Sequence, residues 1–111
     1  MKSTIKATNL DLTPSLRTFI NGKTLIIEKL VKRFDATDVV AFHLEVGRST
    51  KHHHKGDVFM AEMNLDLPGK VLRVEVLASD VRQAIDQAKN KLRLEIEKYK
   101  TKISPRNQRK I

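Results

Sequence analysis

A two-layer α+β sandwich is the fold this sequence predicts, with a four-stranded mixed sheet and two helices packed on one of its faces. Three observations carry that reading. Two segments keep apolar residues at 3.6-residue spacing, three consecutive segments alternate apolar with polar residues, and a short extended segment precedes the first helix. The order is therefore β-α-β-β-β-α. Two amphipathic helices bury their stripes most economically on the same sheet face.

The opening strand is expected over Lys2 to Ala7. Thr13 followed by Pro14 signals a helix start: a capping hydroxyl, then a proline where its missing N–H costs nothing. Leu16, Phe19, Ile20, Ile27, Leu30, Val31 and Phe34 then share one face, so the first helix is expected from Pro14 to Phe34. Gly22 weakens it by about 1 kcal/mol against alanine. Lys23 falls inside the apolar arc, where a lysine either reaches the rim or is held by a partner. It reads either as a rim lysine covering core or as a cation aimed at phosphate.

In VVAFHLEVGR, Val40, Phe42, Leu44 and Val46 oppose His43 and Glu45. In VFMAEMNLDL, Phe59, Ala61, Met63, Leu65 and Leu67 take the inner face, and Pro68-Gly69 makes a turn. In VLRVEVLA, Leu72, Val74 and Val76 point inward and Arg73 and Glu75 outward. Three such strands in succession form an antiparallel meander. Asp80, with Gln83 three residues on, resembles a capping box, and Val81, Ala84, Ile85, Ala88, Leu92, Ile96, Tyr99 and Ile103 keep helical phase behind it. Pro105 stops the pattern. Residues 1–104 are expected to form one domain and 105–111 a basic flexible tail. Leu16, Ile27, Leu44, Met63, Val74, Ile85 and Leu92 are the expected centre of the core.

The 111 residues carry 22 Lys+Arg against 13 Asp+Glu, a net charge of +9, and the sequence pI is near 10.0. That is the electrostatic footprint of a polyanion binder. On a helical wheel, Arg82, Lys89, Arg93 and Lys100 flank one side of the second helix's apolar stripe. Lys91, Lys98 and Lys102 flank the other. Asp86, Glu95 and Glu97 are scattered among them. Rows of cations on a rigid rod can track a phosphate backbone, and a solvated lysine-rich face has the same pattern. Arg48, Lys51, His52 and Lys55 add cations and donors around the connection between the second and third strands.

Other classes find little support. With one Tyr, four Phe and no Trp, there is no aromatic platform for stacking bases, which favours recognition of folded RNA by shape and phosphate. No Gly-rich phosphate loop, serine–histidine–acid arrangement or cysteine nucleophile is present, so no enzyme and no cofactor are expected. The absence of cysteine excludes disulfides and thiolate metal sites and fits a reducing compartment. His52, His53 and His54 are adjacent, so in an extended segment at most two face one way, and Asp57 alone is a poor third ligand. No metal site is expected. The reading left for these histidines is a basic loop, either touching phosphate or simply solvated. No apolar run approaches the ~20 residues of a membrane span. No secretory signal opens the chain, and a cytoplasmic location is expected.

LDLTPSLRTFI, KGDVFMAEMNLDLPGK and SDVRQAIDQAKNKLRLEIEKYK, in this order and spacing, give the chain a family resemblance. Over residues 2–103 it resembles the short form of the ribosome hibernation-promoting factors, the family of ribosome-associated inhibitor A, also called sigma-54 modulation protein. The resemblance implies the β-α-β-β-β-α fold and a non-enzymatic role. Such proteins occupy the mRNA and tRNA channel of the small ribosomal subunit and silence translation under stress or in stationary phase. It implies contact with ribosomal RNA, and with ribosomal proteins, by a chain that is a monomer off the ribosome. Lys23, Lys91 and Lys98 match lysines usual in the family's helices. Arg82 stands where many members have an aromatic, Leu94 where many have arginine, with Arg93 one position earlier, and Ile26 where a lysine is frequent. Long forms add a C-terminal dimerisation domain, so this chain is not expected to pair ribosomes as they do. A stand-alone binder of structured RNA and a small protein-docking regulator remain the alternatives.

Overall fold

The computed structural model describes residues 1–49 and 58–103. Along the chain run β1 (Lys2–Thr8), α1 (Pro14–Val31), a 3-10 turn (Lys32–Phe34), β2 (Ala41–Ser49), β3 (Val58–Leu67), β4 (Lys70–Ala78) and α2 (Val81–Ile103). The strands form one sheet in the order β1-β2-β3-β4. β1 runs parallel to β2, and β2, β3 and β4 are an antiparallel meander. This is the mixed sheet the sequence predicts, with both helices over one face.

Local chemistry sets the element ends. Thr13 Oγ1 accepts the Leu16 backbone N–H at 3.1 Å, and Pro14 opens α1 behind it. Asp80 caps α2 by accepting the Gln83 N–H at 3.0 Å. Gly69, at φ 75, occupies the left-handed region that the two-residue turn between β3 and β4 requires. The Tyr99 hydroxyl donates to the Pro68 carbonyl at 2.8 Å and ties the last turns of α2 to that turn.

The core lies between the layers. Facing rows of the sheet, such as Phe42, Leu65 and Leu72, or Val46, Ala61 and Val76, pack against Leu16, Ile20, Ile27 and Val31 of α1. They also pack against Val81, Ala84, Ile85, Ala88, Leu92, Ile96 and Tyr99 of α2. Two expectations need correction. The first helix ends at Val31, not Phe34, because Val31 leaves the helical region (φ −107, ψ 3) and the chain tightens into the 3-10 turn. Phe34 still reaches the core edge, with its ring edge-on to Tyr99 at 5.1 Å. Val74 is half-buried, not buried, because β4 is an edge strand with one open flank. The tail expected over 105–111 lies outside the described residues.

Candidate nucleic-acid interface

The two faces of the sandwich differ in charge. On the sheet face turned away from the helices, register places Lys6, Glu45, Glu62 and Glu75 side by side across the four strands, with Arg73 beside Glu75 on the same face. His43 sits on the same face between Thr4, 2.6 Å from its Nδ1, and Asp66, 3.9 Å from its Nε2. The three adjacent carboxylates disfavour phosphate, and among the described residues no Phe, Tyr or Trp ring is offered there for stacking.

The helix layer presents two basic flanks, divided by the buried stripe of α2. The first lies along the α1–α2 crossing. Lys23 Nζ is 2.9 Å from Asp86 Oδ1, and Lys89 Nζ is 3.6 Å from the same oxygen. Arg82 donates to Ser15 Oγ at 2.9 Å. Lys23 and Arg82 both approach the Phe19 ring, 5.0 Å and 5.7 Å from its centroid. The hydrogen bond from Lys23, aided by the charges of Lys23 and Lys89 and opposed by partial burial, holds the Asp86 carboxyl below its ordinary 3.8. Lys23 is therefore a rim lysine held by a partner, and Asp86 partly neutralises the cations that the helix arranges. Further along this side, Arg93 pairs with Glu97 at 3.5 Å and Lys100 is half-exposed.

The second flank faces the β4 edge. Lys91 and Lys98 line a groove of about 380 Å³ with Arg73, Val74, Glu75, Leu94 and Glu95. Lys98 is 3.3 Å from Glu95 yet stays largely exposed, and Lys102 is exposed one turn further on. The pairing of Arg48 with Phe59 and of Phe59 with Ala78 puts Arg48 at the end of the sheet where α2 begins. Its guanidinium lies 5.8 Å from the Phe59 ring. Lys98 and Lys102 lie at the other end, beside the Pro68 turn. The basic surface thus spans α2, roughly 34 Å for 23 residues.

The structure keeps the two predicted rows apart on opposite flanks of α2 and does not gather them into one cluster. Lys51, His52 and Lys55, with His53 and His54, lie outside the described residues. Sequence reasoning missed two participants. Arg73, on the sheet's open face, borders the Lys91 and Lys98 groove only because β4 is the sheet edge and α2 lies over β3 and β4. Asp86 clamps Lys23 only because the helices cross there. The sequence signal available was Asp86 three residues before Lys89, which reveals the local pair and not the one between helices. Among the described residues no three potential ligands are grouped to hold a metal ion, and no helix is long and apolar enough to cross a membrane.

Residues 3–104 match the family model described as Sigma 54 modulation protein / S30EA ribosomal protein. A ribosome hibernation promotion factor of Bacillus subtilis (strain 168) is 31% identical over 104 residues, which cover 94% of this chain and 51% of the relative. One of Lactococcus lactis subsp. cremoris (strain MG1363) is 29% identical over 109 residues, 96% of this chain and 55% of the relative. The chain spans about half the length of the curated relatives it matches. Among solved structures, the Protein Y N-terminal domain of Thermus thermophilus aligns with a TM-score of 0.69 at 23% identity, covering 89% of this chain and 99% of that one. A ribosomal subunit interface protein from Coxiella burnetii aligns with a TM-score of 0.65 at 20% identity, covering 90% and 98%. These two likenesses are likenesses of fold.

Proposed function

We propose that this chain, which belongs to the Sigma 54 modulation protein / S30EA ribosomal protein family, is a ribosome hibernation factor. It binds the small ribosomal subunit in the mRNA and tRNA channel through the cations of its helix layer, and it inhibits translation under stress or in stationary phase. The work is occupancy and not catalysis, and it takes place in the cytoplasm, where the ribosomes are. The observation that carries the reading is the segregation of charge, with a basic helix layer running the length of α2 and a row of glutamates across the opposite face. Phosphate contacts of this kind position a binder without reading bases. They suit a rigid domain held against folded ribosomal RNA.

The test reverses the β4-side flank. Lys91→Glu with Lys98→Glu changes two exposed side chains, so the fold should survive, with each substitution costing within about 0.5 kcal/mol. Co-sedimentation with small subunits should fall sharply, its salt dependence should flatten, and inhibition in a translation extract should fall with it. Glu97→Lys is the control: it removes an acid and releases Arg93, so it should not weaken binding. A folded double variant that still inhibits at native concentrations removes this flank from the interface. Native protein that stays in the soluble fraction when ribosomes are pelleted leaves the structured-RNA and protein-docking alternatives.

A further inference from the structure

The two edges of the sheet are built differently. β1 carries Lys2 and Lys6 and is polar along its outward face, the usual protection of an edge. β4 has nine residues in unbroken register with β3, no proline and no bulge. Its far side has no neighbouring strand among the described residues. It also exposes Val71 (49%) and Leu77 (60%) on the open face, while Leu94 of α2 stands 60% exposed above the same edge. An edge of this kind is a template for another strand.

The sequence of β4, KVLRVEVLA, specifies which strand fits. On the open face it reads Val71, Arg73, Glu75, Leu77, an order that is self-complementary about Val74. We propose that a second copy of this chain pairs with the first, β4 antiparallel to β4, about a two-fold axis at Val74. Directly opposed residues then share a face. Arg73 meets Glu75 of the second copy, Glu75 meets the second copy's Arg73, and Val71 and Leu77 cover each other. Among the described residues neither Arg73 nor Glu75 has an ion-pair partner, and the cross-strand neighbour of Glu75 is Glu62. The second copy supplies each of them with an opposite charge.

The helix layer agrees with that axis. The groove beside this edge is lined by Arg73, Val74 and Glu75 of β4 and by Lys91, Leu94, Glu95 and Lys98 of α2, so it includes the axis position, and α2 lies over β3 and β4. With strands about 4.8 Å apart, the two α2 helices come to roughly 10 Å, the spacing at which helices pack. The Leu94 side chains then meet across the axis. Lys91 and Lys98 line the groove that this pairing closes, so the paired form withholds one basic flank from RNA. This departs from the monomer expected off the ribosome and makes the pair a storage form. The pairing does not depend on the ribosomal reading, although its consequence does.

Each protomer carries +9, and Lys91 and Lys98 line the groove beside the seam. Self-pairing therefore strengthens as salt screens that repulsion, whereas phosphate binding weakens. Sedimentation equilibrium of the purified chain alone, over a concentration series at about 50 mM and about 500 mM salt, reads this directly. Dimer is expected to increase with salt. Arg73→Glu and Glu75→Arg each create two like-charge pairs and should weaken association by roughly tenfold or more. Mixing the two single variants should restore pairing as a heterodimer, and the double swap should restore the homodimer. Leu77→Lys, on the same exposed row, should weaken it with circular dichroism unchanged. A chain that stays monomeric throughout the series overturns the proposal. So does a dimer indifferent to the single reversals, or a mixture of the two variants that fails to pair. None of these outcomes bears on ribosome binding.

Discussion

Asp86→Asn is expected to make this chain bind ribosomal RNA more tightly. The carboxylate accepts from Lys23 at 2.9 Å and lies 3.6 Å from Lys89. A phosphate oxygen docked on the outer side of either lysine, at about 2.8 Å, would sit roughly 6 Å from that carboxylate. In water the repulsion at that distance is about 0.7 kcal/mol, roughly threefold in affinity for one phosphate and about tenfold for two. Asparagine keeps the shape and an acceptor for Lys23, so the lysine is not displaced. The ion pairs lost are partly exposed and cost less than about 1 kcal/mol of stability. The assay is competition of native and variant protein for small subunits at fixed low salt, beside thermal melts of both. If the variant melts normally and binds no more tightly, phosphate does not approach the α1–α2 crossing. Neutral results for Lys23→Ala and Lys89→Ala would then remove that flank from the interface. If it binds more weakly, Asp86 serves binding by fixing Lys23, and the repulsion argument fails.

Two further expectations concern stability. Gly22 is exposed in the interior of α1 and a Cβ there would meet nothing within 4 Å; Gly22→Ala should stabilise by roughly 0.5–1 kcal/mol and raise Tm by about 4 °C, read by scanning calorimetry. The Asp86 carboxyl titrates below its ordinary 3.8 in the folded chain, so its contribution is complete above that value and is lost as pH falls through the lowered one. Native protein should therefore lose more stability on the acid side of about pH 4 than Asp86→Asn does, and equal losses in urea melts at stepped pH would contradict the ion pair.

The fold was legible because each element declares its period. Alternation over Val40–Val46, Phe59–Leu67 and Leu72–Val76 assigned the inner face of three strands, and 3.6-residue spacing assigned the buried stripes of both helices. The end of α1 was less legible, because Phe34 stays in phase with the stripe whether the chain continues as α-helix or tightens into a 3-10 turn. The half-burial of Val74 was hidden for another reason: alternation reports a face, not a position within the sheet, and only strand order makes β4 an edge. For the site, the wheel separated the cations of α2 into two flanks but said nothing of what each flank faces. That Lys23 pairs with Asp86, and that Arg73 joins Lys91 and Lys98, are consequences of tertiary packing between segments far apart in sequence.

Net charge alone would not orient this molecule on RNA. Carboxylates lie on both layers, and those of α2 neutralise their neighbours: Asp86 with Lys23 and Lys89, Glu95 with Lys98, Glu97 with Arg93. On the sheet, Glu45, Glu62 and Glu75 stand in a row whose like charges oppose one another across strands. That row costs stability; on the proposed reading it disfavours approach of RNA to the sheet face, and the helix layer is left to meet phosphate. The same row ends at Glu75, on the edge strand, where Arg73 of a second copy would relieve it. Salt then acts on the two associations with opposite sign. Screening weakens the hold of the helix layer on phosphate and weakens the repulsion between two basic protomers. If ribosome binding and self-pairing both use the groove between α2 and β4, as proposed, conditions that release the chain from RNA are those that favour its pairing with itself.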